Sequence, residues 1–378
     1  MKVSSYFAAD YAEARSKFRE AAQAVGAAVE SRRNPAACSA GCVLTTETAW
    51  LGPQNARRLL VFLSGTHGVE GLCGSGLQVG LLRAGIAAER PAGMSILMIH
   101  ALNPFGFAGG RRVTEGNVDL NRNFVDHRRP YPQNPVYELL RDALCPSDWS
   151  PAGKKAADAV LEAYCAEHGT AALNEALILG QYIDPQGVLY GGRAPTWSNR
   201  TLQKILRGNC AAARSIALID FHSGLGPFGE GEIINNHLAR HPGSKRVKDW
   251  FAAEMVENQA VNLAAAPIVG DVTVAFDESL PRAEITGITL EFGTVPLPEV
   301  FDALRADNWL HVYGRPDSPQ GREIKARLRA AFYPDRDDWR SLVWERTVEV
   351  ARKTISGLSE RWGAPARPNP SSRRIATG

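Results

Sequence analysis

The 378 residues carry 43 Lys and Arg against 40 Asp and Glu, a formal net charge of +3, with 44% apolar and 22% charged residues. This balance excludes a disordered or fibrous chain and gives no sign of a nucleic-acid-binding surface. No run approaches the roughly 18 consecutive apolar residues of a membrane helix, so neither nucleic acid nor membrane is an expected partner.

The basic set is skewed, with 34 Arg and 9 Lys, toward the side chain whose planar fork matches a carboxylate. The start, MKVSSYFAADYAEARSKFREAA, is charged throughout and lacks the apolar core of a secretion signal, which makes a cytoplasmic location the expectation. Apolar positions at helical spacing run through the first thirty residues and stop before the Asn34-Pro35 breaker. Six cysteines follow: Cys38, Cys42, Cys73, Cys145, Cys165 and Cys210. In such a chain they read as free thiols, and no second close pair joins Cys38 and Cys42 into a zinc knuckle.

Leu59 to Leu63 (LLVFL) is the first run with the look of a buried strand, apolar without polar alternation. It opens into SGTHGVEGLCGSG, where His67 and Glu70 stand three apart in a turn held by Gly65, Gly68 and Gly71 and can converge on one cation. A helical pattern covers Leu72 to Ala88, and a second strand runs from Ser95 to Ile99. Next comes NPFGFAGGRRVTEGNVDLNRNF, residues 103 to 124, with Arg111, Arg112 and the pair Asn121-Arg122. An arginine beside an amide suits a forked grip on a substrate carboxylate, and Asp119 is a candidate acceptor to orient a liganding histidine.

Residues 127 to 200 begin Pro-rich, hold helical patterns at Val136 to Leu144 and Ala152 to Glu167, and include the Gly/aromatic stretch GQYIDPQGVLYGGRAPTWSN. They read as an insertion over one end of a sheet. The strand Ile216 to Ile219 leads into DFHSGLG and presents His222 where an apolar strand enters a glycine loop. Ligand sites of open α/β sheets gather at such strand ends. Two His and one Glu form a three-donor zinc set with a fourth position open to water, and neutral imidazoles with one carboxylate leave a net charge of about +1 at the metal, which favours a bound hydroxide. After a helical pattern from Lys245 to Leu263, the strand Ile285 to Phe292 (ITGITLEF) buries Glu291 among Ile288, Leu290 and Phe292. A carboxylate there must be paired, near a metal, or neutralised; beside a zinc-bound water it serves as general base and then as general acid. The tail from residue 364 has the composition of a flexible end.

Strands alternating with helices give an α/β, three-layer sandwich around a mixed, mostly parallel central sheet, with residues 1–363 as one domain. In this order, His67-x-x-Glu70, the Asn103-Pro104-x-Gly106 turn, Asp119-x-Asn121-Arg122, His222 after a strand and Glu291 on a late strand resemble the carboxypeptidase A-like zinc peptidase superfamily. They resemble most a bacterial branch related to the aspartoacylases and succinylglutamate desuccinylases. The resemblance implies zinc, a mixed eight-stranded sheet and cleavage of an amide bond beside a carboxylate in a small peptide or N-acyl amino acid. It gives Asn121 and Arg122 the substrate carboxylate, and Arg112 or Arg111 the scissile carbonyl. One departure stands out. No Tyr lies between Tyr190 and Tyr313, where digestive carboxypeptidases carry a substrate-contacting Tyr, so that role falls to Tyr182, Tyr190 or no residue. The departure leaves room for N-acyl amino acid deacylation; a non-catalytic zinc- or ligand-binding relative is the alternative from another class.

Overall fold

A computed structural model describes residues 2–38, 41–251 and 269–363. Its first half holds α1 (Tyr11–Ala24), β1 (Ala28–Arg33), β2 (Thr45–Leu51), β3 (Arg58–Ser64), α2 (Gly71–Arg83) and β4 (Met94–His100). A short α3 (Pro104–Gly109) is followed by α4 (Pro135–Leu144), α5 (Pro151–His168), α6 (Thr170–Leu179) and α7 (Trp197–Asn209). Then come β5 (Ser215–Phe228), β6 (Gly231–Asn235), α8 (Pro242–Phe251), α9 (Val272–Ser279) and β7 (Glu284–Gly293). Three helices, α10 (Leu297–Val312), α11 (Pro319–Phe332) and α12 (Asp337–Gly363), end the described chain.

The strands form one sheet in the order β1-β2-β4-β3-β5-β7-β6, seven strands among the described residues where the resemblance implies eight. β4, β3, β5 and β7 run parallel, while β1, β2 and β6 join by antiparallel pairing. Leu60 and Phe62 face a layer with Phe18 of α1, Leu77 of α2 and Trp339 of α12. Leu59, Val61 and Leu63 face the opposite layer with Ile205 of α7 and Phe276 of α9. Burial on both faces is the reason LLVFL has no polar alternation, and it makes the fold the expected three-layer α/β sandwich. Parallel β3, β5 and β7 deliver their C-terminal ends to one rim, where such folds bind ligands.

Several sequence expectations are corrected. The helical pattern of the first thirty residues ends at Ala24, and Ala28–Arg33 is an edge strand whose six residues are all partly or fully exposed. The helix expected to reach Ala88 stops at Arg83, before Gly85 takes a left-handed φ of 75°. The helix expected from Lys245 to Leu263 is α8 up to Phe251; its remainder, and the tail from residue 364, lie outside the described residues. Cys38 and Cys42 form a disulfide rather than free thiols; Cys73, Cys145, Cys165 and Cys210 are free.

Within residues 127–200, α4, α5 and α6 bury their own small core around Tyr137, Leu140, Leu161 and Leu173. Arg305 of α10 fixes that core by donating to the carbonyls of Ala143 (2.7 Å) and Leu144 (3.3 Å) at the end of α4. Among the described residues no helix is long and apolar enough to cross a membrane.

Candidate metal centre and active site

Glycine lets the loop after β3 fold back on itself. Gly65 has a φ of 69°, and a Cβ on Gly68 would stand 2.1 Å from the backbone carbon of Gly106, so only glycine fits that crossing. The amides of Gly68 and Val69 donate to the carbonyls of Arg112 (3.0 Å) and Arg111 (2.8 Å), which ties this loop to the arginine turn. His67 and Glu70, the latter at the start of α2, are thereby buried at the rim.

His222 arrives from β5, and its Nδ1 lies 2.8 Å from Glu70 Oε2; His67 Nδ1 lies 2.9 Å from Glu70 Oε1. The two rings are 4.8 Å apart at 72°. Each far nitrogen faces a carboxylate: His67 Nε2 meets Asp119 Oδ1 at 3.1 Å, and His222 Nε2 meets Asp220 Oδ2 at 2.7 Å. A carboxylate on Nε2 holds the proton there and turns the Nδ1 lone pair inward. His67 Nδ1 is buried and makes no hydrogen bond despite its short distance to Glu70. Two inward imidazole lone pairs, one of them orphaned, and a carboxylate are a donor set that zinc accepts.

The electrostatics agree. Burial disfavours charge on His222, yet Asp220 and Glu70 outweigh it and hold the imidazole well above its ordinary pKa. Burial likewise opposes ionisation of Glu70, but His67 and His222 hold it well below the usual carboxylate range. Glu70 and His222 thus hold each other in their charged forms, and a cation entering the site would take the place of the His222 proton. A second cluster, His237, His241 and Asp277, lacks this geometry. Its rings stack at 4.4 Å, and the nitrogens His237 Nε2 and His241 Nδ1 already accept backbone amides from Gly287 and Gly243.

Glu291 is directly opposite His222 in the β5–β7 pairing. The amide of Leu225, in a bulge of β5, donates to its Oε1 at 3.0 Å. Burial, and then the neighbouring charge of Glu70, push its pKa up to about 8. The adjacent arginines diverge. Arg112 donates from Nη1 to Glu70 Oε1 and from Nε to Asp119 Oδ2, both at 3.0 Å. Arg111 turns away to Asp307 (3.0 Å) and Asn117 (3.2 Å) and does not join the cluster.

Arg122 is buried with its Nε unpartnered, and its Nη1 donates only to the carbonyl of Asn121 at 3.1 Å. The side-chain oxygen of Asn121 accepts from the Val272 amide at 3.2 Å, and the Asn121 backbone N–H donates to Asp119 Oδ1. Tyr182 lies beside this pair but spends its hydroxyl on the Arg122 carbonyl at 2.5 Å, while Tyr190 contributes a backbone carbonyl to the Asp119 amide.

Sequence reading missed Asp220, although its place two residues before His222 puts both on one face of β5. It also missed Asp271, whose buried carboxyl is pushed by its surroundings up to about 7 and for which the sequence carries no signal.

Residues 7–346 match the family model described as "Protein of unknown function (DUF2817)". No curated protein matches the chain. Among solved structures it is similar to thrombin activatable fibrinolysis inhibitor, with a TM-score of 0.49 and 12% identity over 94% of this chain and 76% of that one. Carboxypeptidase A from Helicoverpa armigera gives 0.42 and 14% over 85% and 73%. Succinylglutamate desuccinylase from Chromobacterium violaceum gives 0.34 and 15% over 85% and 74%. Each of these likenesses has a TM-score below 0.5 and an identity of 15% or less.

Proposed function

The chain belongs to this DUF2817 family, and we propose that it is a zinc-dependent hydrolase cleaving an amide bond near a substrate carboxylate, with residues 1–363 as one catalytic domain. The convergence of His67 Nδ1, His222 Nδ1 and the Glu70 carboxylate, with Glu291 in register beside His222, carries this reading. Zinc held by His67, Glu70 and His222 supplies a Lewis acid that polarises a carbonyl and acidifies water.

The remaining work falls to the chain. With Oε1 held by the Leu225 amide, Glu291 takes a proton from the attacking water and later returns it to the departing amine. Arg112 keeps its Nη2 group for the carbonyl oxygen as negative charge develops there. The unpartnered Nε of buried Arg122, with Asn121, receives the substrate's carboxylate. Deacylation of N-acyl amino acids is the second reading. It is favoured by the absence of Tyr between Tyr190 and Tyr313, a residue that peptide carboxypeptidases use.

Two measurements test this. Metal analysis is expected to give about one zinc per chain, lost in His67→Ala and His222→Ala; unchanged zinc in both variants refutes the donor set. Amine release is then followed on C-terminal dipeptides and N-acyl amino acids, each as free acid and as amide. Wild type is expected to prefer the acid by about ten- to a hundredfold in kcat/KM, and Arg122→Ala to lose that preference. Equal cleavage of acid and amide by wild type overturns carboxylate recognition.

A further inference from the structure

The divergence of Arg111 and Arg112 depends on a buried charge cluster away from the rim. Arg111 Nε donates to Asp307 Oδ2 of α10 at 3.0 Å. Lys325 Nζ of α11 donates to Asp307 Oδ1 at 2.9 Å and to the carbonyl of Gly110 at 2.7 Å. His311 Nε2 lies 3.5 Å from the same Oδ1. Asp307 is 4% exposed, and an acid so placed costs much to leave unpaired. The cluster therefore grips residues 110 and 111 from two helices at once. On the opposite side the same turn is held by the Gly68 and Val69 amides, which donate to the carbonyls of residues 112 and 111. The turn is clamped between the α10–α11 hairpin and the loop of His67 and Glu70, and Arg112 is the side chain it sends to the rim.

We infer that Asp307 and Lys325 are positioning residues for catalysis: through Arg111 and the Gly110 carbonyl they fix the turn so that Arg112 reaches the oxygen of the substrate carbonyl. The inference rests on the role proposed above for Arg112. Neither residue is among those that the motif pattern singles out. The physical case is that a guanidinium acts on a developing charge only when its direction is set beforehand, and misplacement by an ångström can cost about a hundredfold. Arg112 has one neighbour, Arg111, whose side chain leaves the site for a buried anion, so rotating the backbone between them pulls Arg111 from Asp307 Oδ2.

The test uses zinc-loaded full-length protein carrying Asp307→Asn, Lys325→Met or the conservative Lys325→Arg. Hydrogen exchange is read at the Gly68 and Val69 amides, and turnover on the acyl amino acid or dipeptide that wild type cleaves. Both disrupting variants are expected to keep zinc, to speed exchange at these two amides, and to lose roughly tenfold or more in kcat with KM little changed; Lys325→Arg restores kcat. In an Arg112→Ala background the same substitutions are expected to add less than about twofold, because the group they aim is gone. Should Asp307→Asn not fold, Lys325→Met carries the comparison. Unchanged exchange and kcat, or a loss of equal size in the Arg112→Ala background, overturns the inference. A wild-type kcat in Arg112→Ala itself overturns the proposed role of Arg112 instead, and no turnover by wild type overturns the proposed reaction; exchange at the two amides then decides the clamp alone.

Discussion

In the proposed reaction both proton transfers fall to one side chain, Glu291. A base works best when its pKa is near the working pH, and burial plus the charge of Glu70 lift this carboxyl to about 8. A cation held by Glu70 and the two histidines would oppose that repulsion and lower the value. Glu291→Gln retains the Leu225 contact but cannot accept a proton. It is expected to bind zinc as wild type and to lose about a hundredfold to ten-thousandfold in kcat, which metal analysis with steady-state kinetics checks; a near-normal kcat identifies another base. Glu291 could be found from sequence because an acid inside an apolar strand contradicts its surroundings, and His67 and Glu70 because glycines flank them. The choice between Arg111 and Arg112 could not. Two adjacent arginines look alike until Asp307, 196 residues away, claims one.

At the level of elements, the apolar runs of β3, β4, β5 and β7 are recognisable in the sequence and the other strands are not. β2 reads TTETAWL, too polar for a buried strand, yet all seven residues are buried. Glu47 within it is neutralised by Arg15 and Arg19 of α1 and bonded by Thr45, partners that no local pattern reveals. β1 and β6 are short and partly exposed, and they carry little apolar signal. The loop after β3 is recognisable by its glycines, and Gly68 is required because a Cβ there would stand 2.1 Å from the Gly106 backbone that it crosses. Gly68→Ala forces that crossing apart and is expected to destabilise the protein by about 1–3 kcal/mol in urea unfolding. Gly109→Ala, where an added Cβ comes no closer than 3.9 Å to a neighbour, is expected to stay within about 0.5 kcal/mol. Equal effects would mean that backbone entropy, not the crossing, selects glycine there.

The whole molecule records its burial in its response to acid. His100, at the end of β4, stacks on Phe18 at 4.4 Å, with Nε2 against Ser75 Oγ at 2.9 Å and Nδ1 unpartnered. Burial pulls its pKa from 6.5 down to about 3, so below pH 6.5 the unfolded chain binds a proton that the native one refuses. Native stability is therefore full above that pH and falls as pH drops toward 3, by up to about 1.4 kcal/mol per pH unit from this group. Between pH 6 and 4 the unfolding free energy of His100→Gln is expected to fall less steeply than that of wild type, and equal slopes would rule out a buried neutral imidazole. The same dependence on complete folding governs the rim. The bond from the Ser223 amide to Glu70, 3.3 Å long, joins residues 153 apart in the chain, and β3 and β5 pair across that interval. Closing so long a loop is entropically costly and slow. A growing chain that stops short of β5 has His67 and Glu70 but no third donor. The proposed metal centre is in this sense a product of folding rather than its seed, and a cation that binds only there would lengthen the lifetime of the native state without hastening its birth.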